Sequence, residues 1–177
     1  MLLVCALQSK DIMKIYKDVL TLHPNNQEAR VKLVQVAAAK GDMSGALYQL
    51  DKLLKEDFDN PAYLLQKADI LIGMDRADEA EQAIVLARDV IQTNSKYLER
   101  YGNILIKLGR PDEALAAFTT AREISPYDND LALHTAKLQI AMGKVSDAAN
   151  TIASRIEKNQ NNADFWYVAG LLAESRN

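Results

Sequence analysis

Small and large apolar positions recur along this chain with a fixed period. Alanine stands at 46, 80, 114 and 148, an equal step each time. Four residues after each alanine comes a large apolar residue: Leu50, Ile84, Phe118 and Ile152. Twelve residues before each comes a smaller one: Val34, Ala68, Gly102 and Ala136, a series that continues at Gly170. Glycine precedes three of the alanines by five residues (Gly41, Gly109, Gly143), and Asp75 takes that place in the second period. Self-similarity of this kind points to a stacked array rather than a single folded unit.

Each period predicts two helices. In the third, Tyr97, Leu98, Tyr101, Gly102, Leu105, Ile106 and Leu108 fall at helical spacing. Gly109-Arg110-Pro111 breaks the pattern, glycine suiting a left-handed helix end and proline a first helical turn. A second helix then carries Ala114, Leu115, Phe118, Ala121 and Ile124 on one face and stops at Ser125-Pro126. Acidic residues open the second helices (Asp78-Glu79, Asp112-Glu113, Asp147), where they complement the positive end of the helix dipole. Two antiparallel helices joined by a short turn approach closely only where one side chain is small. The residue four after the alanine then fills the adjacent groove.

Counted in phase, the units span 27–60, 61–94, 95–128 and 129–162. Residues 1–26 would hold the tail of one first helix and a full second helix at Ser9–Leu22, and 163–177 a lone first helix. Phe165, Trp166, Ala169 and Leu172 would then lack a partner helix. Stacked repeats normally need polar caps at their ends. The expectation is therefore a piece of a longer array, or terminal helices that pair with another copy to give a homo-oligomer.

Composition narrows the chemistry. The 177 residues are 49% hydrophobic and 25% charged, with a formal net charge of −3, which exerts no general pull on nucleic acid or anionic membrane. The longest apolar run, Met1–Leu7, is far short of a membrane span of about 20 residues. It lacks a basic leader and resembles a lipoprotein cleavage box only faintly, so direct membrane insertion is not expected. One cysteine, Cys5, rules out an internal disulfide and reads as a core or interface residue. No glycine-rich phosphate loop occurs. Only two histidines are present, His23 and His134, and the second reads as a surface pair with Asp130. The Asp-Glu pairs read as helix starts, the methionines are dispersed, and neither an enzyme nor a cofactor is expected.

These residues resemble the tetratricopeptide repeat family, whose 34-residue unit reads W-x2-L-G-x2-Y, then A-x3-F, then P. Trp166 and Gly170 stand at the Trp and Gly positions, Ala114-x3-Phe118 matches the second step, and Pro24 and Pro126 match the closing proline. The Tyr position holds Ala37, Leu71, Leu105, Gln139 and Ala173 instead, and Lys67 and Thr135 replace the Leu in two units. The resemblance implies an all-α fold, a right-handed superhelical solenoid of antiparallel helix pairs. It also implies a concave groove, lined by first helices, that binds a partner protein or peptide. Carried over by position, that groove would present Gln35, Leu65, Asp69, Ile72, Lys96, Arg100, Asn103, Lys107, Leu133, Lys137 and Tyr167.

Lys96, Arg100, Asn103 and Lys107 share one helix face by their spacing of four, seven and eleven residues. The favoured reading of these cations is a solvated face balanced by Glu99 and Asp130; the alternative, with Lys137 on the next unit, is a site that receives an acidic side chain or terminal carboxylate of a partner. Val31, Gln35 and Gln66 leave the family's clamp for a terminal carboxylate incomplete, so that ligand is not the expectation. Leu65, Ile72, Ile106, Leu133 and Ile140 form an apolar stripe suited to an amphipathic helix or to packing between repeats. The leading functional reading is a non-enzymatic scaffold for protein–protein interaction, with no nucleic-acid ligand, and its repeat style resembles bacterial proteins of envelope assembly and secretion. The alternatives are a self-associating spacer and the regulatory arm of a larger enzyme.

Overall fold

The computed structural model describes the backbone of residues 2–175 and the side chains of residues 12–175 other than Ser154 and Lys158. Cys5 and the side chains of the run Met1–Leu7 lie outside those described residues. Ten α-helices and one short 3-10 turn make up the described structure, with no strand among the described residues. They are α1 (Leu2–Leu22), α2 (Gln27–Ala39), α3 (Met43–Glu56), α4 (Pro61–Gly73), α5 (Ala77–Arg88), α6 (Ser95–Lys107), α7 (Pro111–Ile124), α8 (Asn129–Ala141), α9 (Val145–Ile156) and α10 (Ala163–Glu174). First helices start at 27, 61, 95, 129 and 163 and second helices at 43, 77, 111 and 145, so both series keep the period of the alanines. The fold is an all-α repeat solenoid. It divides into two compact units, one ending at Val90 and holding α1–α5, the other starting at Ile91 and holding α6–α10.

The size pattern becomes packing. Ala46, Ala80, Ala114 and Ala148 are fully buried, as are Leu50 and Ile84, with Phe118 at 1% and Ile152 at 3% exposure. The smaller partners on the first helices, Val34, Ala68, Gly102 and Ala136, are buried too. Size is balanced across one pair most tightly: a Cβ on Gly102 would sit 2.5 Å from Cε1 of Phe118, so the ring occupies the space glycine leaves. Gly41, Gly109 and Gly143 adopt left-handed backbone (φ 77, 73 and 72) after their first helices. Asp75 accepts the same geometry at φ 57 without being glycine.

The starts of the first helices carry a signal that the hydrophobic pattern does not. Asn26, Asn60, Asn94, Asp128 and Asn162 precede them at the same period, and each side chain accepts a backbone N–H of the first turn. These caps satisfy donors that the helix itself leaves orphaned. Second helices α5 and α7 use another device. Arg76 and Arg110 stand at the caps without capping through their side chains and instead grip Glu79 and Glu113 at 2.6 Å.

Two expectations change. α1 runs without interruption from Leu2 to Leu22, so no turn precedes a separate second helix at Ser9; residues 1–22 contain neither glycine nor proline to break it. On α10, Phe165 and Leu172 do find partners. They are buried with Val168 in a cluster that includes Leu133, Ala136, Ala148 and Ile152 of α8 and α9. Ala169 is half-buried, and Trp166 stays 54% exposed with its indole N–H donating to the Gln160 carbonyl at 2.7 Å.

The fourth pair solves its departures from the apolar pattern with hydrogen bonds. Thr135 is fully buried and donates to the Leu131 carbonyl of its own helix at 2.7 Å. Gln139, in place of an apolar residue, accepts at 2.9 Å from Thr151 of α9. Both partners are buried, so the bond removes a desolvation cost that either group alone would carry.

Candidate functional site

The first helices of the second unit, α6, α8 and α10, carry most of the polar side chains singled out by sequence. Charge pairs join α6 to α8. Asp128 caps α8 by accepting the Leu131 N–H at 3.1 Å with one carboxylate oxygen, and accepts Lys96 Nζ at 2.9 Å with the other. Lys96 donates also to Glu99 at 3.2 Å, one turn along α6. The other oxygen of Glu99 accepts Nδ1 of His134, on α8, at 2.8 Å. The Glu99 side chain is only 12% exposed, so this acid is the half-sunken hub of the network.

The protonation of these groups follows from their partners. Hydrogen bonds to Asp128 and then Glu99 hold the Lys96 ammonium above its ordinary range. Burial pushes the Asp128 carboxyl up, but the bonds from Lys96 and the Leu131 N–H outweigh it and leave the group below its ordinary range. Lys137 of α8 stands over the Tyr167 ring of α10, 5.7 Å from its centroid, while Tyr167 stays 60% exposed. A cation over an aromatic face at an exposed site contributes about 0.5–1 kcal/mol.

The expected residues fall into three groups. Lys96 and Lys107 on α6 and Tyr167 on α10 are exposed, and Arg100, Asn103 and Lys137 are half-buried. Gln35 (exposed) and Asp69 and Ile72 (half-buried) belong to the first unit, on α2 and α4. Leu65 and Leu133 are corrections: at 0% and 4% exposure they are core residues, because neighbouring helices close over that side of each first helix. Of the apolar stripe, Ile106 remains 40% exposed and Ile72 and Ile140 half-buried.

Lys96 is balanced by Glu99, as the solvated-face reading has it, and by a second acid. That second acid is Asp128, the cap of the next first helix, rather than Asp130, and His134 pairs with Glu99 instead of Asp130. Arg100 and Lys107 make polar or charged interactions as well. Sequence reasoning missed Glu99, Asp128 and His134 as one network. The available signal was Asp128 at the capping position shared with Asn26, Asn60, Asn94 and Asn162. Among the described residues no group of three or more His, Cys, Asp and Glu is placed to hold a metal ion. No described helix is long and apolar enough to cross a membrane.

Comparison with known proteins agrees with the repeat fold. One family model described as tetratricopeptide repeat matches residues 8–68 and 105–173, and another of the same description matches 65–129. No curated protein matches the chain. Among solved structures, a thermophilic protein of this repeat class from Thermus thermophilus superposes with TM-score 0.68 at 18% identity, covering 97% of this chain and 94% of that one. MamA from Desulfovibrio magneticus gives TM-score 0.72 at 14% identity, covering 87% of each chain. YrrB, described as having an unusual peptide-binding site, gives TM-score 0.68 at 18% identity, covering 91% of this chain and 83% of that one. At these identities the likeness speaks for the fold. Neither family description names a catalytic activity.

Proposed function

The chain belongs to the tetratricopeptide repeat family, and on that premise we propose that it is a non-enzymatic scaffold that holds an acidic peptide segment of a partner protein on the α6–α8–α10 face. Its repeat units are 27–60, 61–94, 95–128 and 129–162, flanked by partial units at 1–26 and 163–177. One observation carries the reading: Tyr167 offers a 60% exposed ring beside the Lys137 ammonium, on a face that also bears Arg100 and Lys107. An exposed aromatic ring supplies contact area at small entropic cost, and the neighbouring cations favour carboxylates. Lys96 and Glu99 serve that face by fixing α6 against α8. The peptide-binding site named for YrrB supports peptide as the ligand class. Formal charge of −3 does not favour nucleic acid.

Fluorescence anisotropy with a panel of labelled acidic peptides tests the proposal. A peptide that binds saturably should lose about tenfold affinity, or about 1.4 kcal/mol, on Lys137→Ala or Tyr167→Ala. Its binding should weaken with salt. Saturable binding that both variants leave unchanged would refute the assignment to this face.

A further inference from the structure

The groove between successive second helices is filled differently in the two compact units. In the second unit Arg122 of α7 donates to the Thr151 hydroxyl of α9 at 3.4 Å, a polar contact across the groove. In the first unit the same positions of the period hold Leu54 on α3 and Ala83 on α5. Leu86 of α5 stands where α3 and α7 carry Lys52 and Thr120, and Phe58 stands where the chain elsewhere carries Pro24 and Pro126. Three of these exchanges put an apolar side chain in place of a polar one, and the fourth puts an aromatic ring in place of a proline. The result is a cavity of about 280 Å³ among α3, α4 and α5, walled by Leu54, Phe58, Leu64, Ala83 and Leu86. Leu64 and Ala83 are buried and Leu54 half-buried, whereas Phe58 and Leu86 are 73% and 60% exposed. Large apolar side chains gathered round a cavity, rather than scattered singly, mark an interaction site.

Charge decides what such a site would take. The two charged side chains that line the cavity are already paired, Lys67 with Asp51 at 2.7 Å and Glu79 with Arg76 at 2.6 Å. The turn that carries the exposed ring is acidic. Lys55-Glu56-Asp57-Phe58-Asp59 sets three carboxylates against one ammonium. Glu56 and Asp57 accept hydrogen bonds from the neutral amides of Gln27 and Asn60, which leave their charge in place. Burial, and then the charges of Asp57 and Glu56, raise the hydroxyl of nearby Tyr63 above its ordinary range, as a negative potential at this turn requires.

We infer that this groove is a second partner-binding site, one that takes a peptide segment carrying a large apolar side chain beside a lysine or arginine. The apolar side chain enters between Leu54 and Leu86 against the Phe58 ring, and the basic residue meets the carboxylates of the Phe58 turn. Complementary charge fixes the register of such a segment and suppresses acidic competitors. The cavity falls just short of the ~300 Å³ at which pockets for whole small molecules begin, so it suits one anchoring side chain of a longer segment. The site shares no residue with the α6–α8–α10 face and prefers the opposite charge.

Random heptapeptides displayed on phage are selected on the immobilised 177-residue chain, and the recovered peptides are synthesised, labelled and titrated by fluorescence anisotropy. Selection should enrich a large apolar residue within two positions of a lysine or arginine. Phe58→Pro and Leu86→Thr install residues that the chain itself carries at those positions of the period, so circular dichroism should stay unchanged. Each should weaken the enriched peptides about tenfold; Leu86→Thr alone decides if Phe58→Pro loses helicity. Recovery of acidic peptides only would uphold the α6–α8–α10 face and overturn this inference. Enriched peptides that bind the variants as tightly as the parent chain would overturn it too. So would sedimentation equilibrium in which the parent chain self-associates and Leu86→Thr does not, since a second copy would then be the occupant.

Discussion

Gly102 and Gly170 hold the same repeat position in the second unit, and one substitution should act on them in opposite directions. Each lies well inside its helix, so Gly→Ala brings both the same gain in helix propensity, about 1 kcal/mol. At Gly170 that gain stands alone, because the added methyl meets nothing within 4 Å. At Gly102 the methyl would lie 2.5 Å from Cε1 and 2.7 Å from Cδ1 of Phe118, a ring that is 1% exposed, so the ring or the helix must shift to admit it. Overpacking of that kind costs about 1–3 kcal/mol. Gly170→Ala should therefore stabilise the unit by about 1 kcal/mol, while Gly102→Ala should leave it unchanged or destabilise it by up to about 2 kcal/mol. The difference between the two variants isolates the packing cost, since the propensity gain cancels.

Chemical denaturation followed by circular dichroism supplies the free energies. Hydrogen exchange read by peptide mass analysis assigns them to residues from Ile91 onward, the second of the two compact units. Phe118→Leu should lessen the Gly102→Ala penalty, because the smaller side chain yields the space, and the double-mutant cycle should show favourable coupling of about 0.5–3 kcal/mol. Equal stabilisation by both alanines, without coupling to Phe118, would refute the packing argument.

Three further outcomes follow from the same structure. Thr151→Val leaves the buried Gln139 carbonyl without its donor and should cost about 1–3 kcal/mol in denaturant unfolding. Asp75→Gly relieves a left-handed residue at φ 57 and should stabilise the first unit by several tenths of a kcal/mol to ~1 kcal/mol, read as a higher unfolding midpoint. Asp128 has a folded pKa below its ordinary 3.8, so its contribution is present above that value and lost as pH falls below it. Asp128→Asn should accordingly flatten the acid limb of the stability profile of the second unit, and an unchanged limb would count against the Lys96–Asp128 pair.

Helix pairing was legible because it depends on residue size at a fixed period, and size is written in the letters: Ala114, Phe118 and Gly102 announce their contact. The turns at Gly41, Gly109 and Gly143 were legible for the same reason, since left-handed backbone selects glycine. The caps were overlooked because asparagine between helices reads as a generic loop residue until its period is noticed. Burial of Leu65 and Leu133 was not legible, since it depends on how neighbouring helices close over one another. Pairing of Lys96 with Asp128, at the two ends of one repeat, and of His134 with Glu99, in successive repeats, joins residues far apart in sequence. Spacing within one helix carries no information about such partners, so the candidate face read as more cationic than it is.

Proton–proton contacts at Gly102 test the central packing claim most directly. A nuclear Overhauser spectrum of the chain should show strong cross-peaks between the Gly102 α-protons and the Phe118 ring, as a ring lying 2.5 Å from the Cβ position requires. An assigned spectrum in which the Phe118 ring shows no contact with Gly102 would contradict the account of how these helices pair.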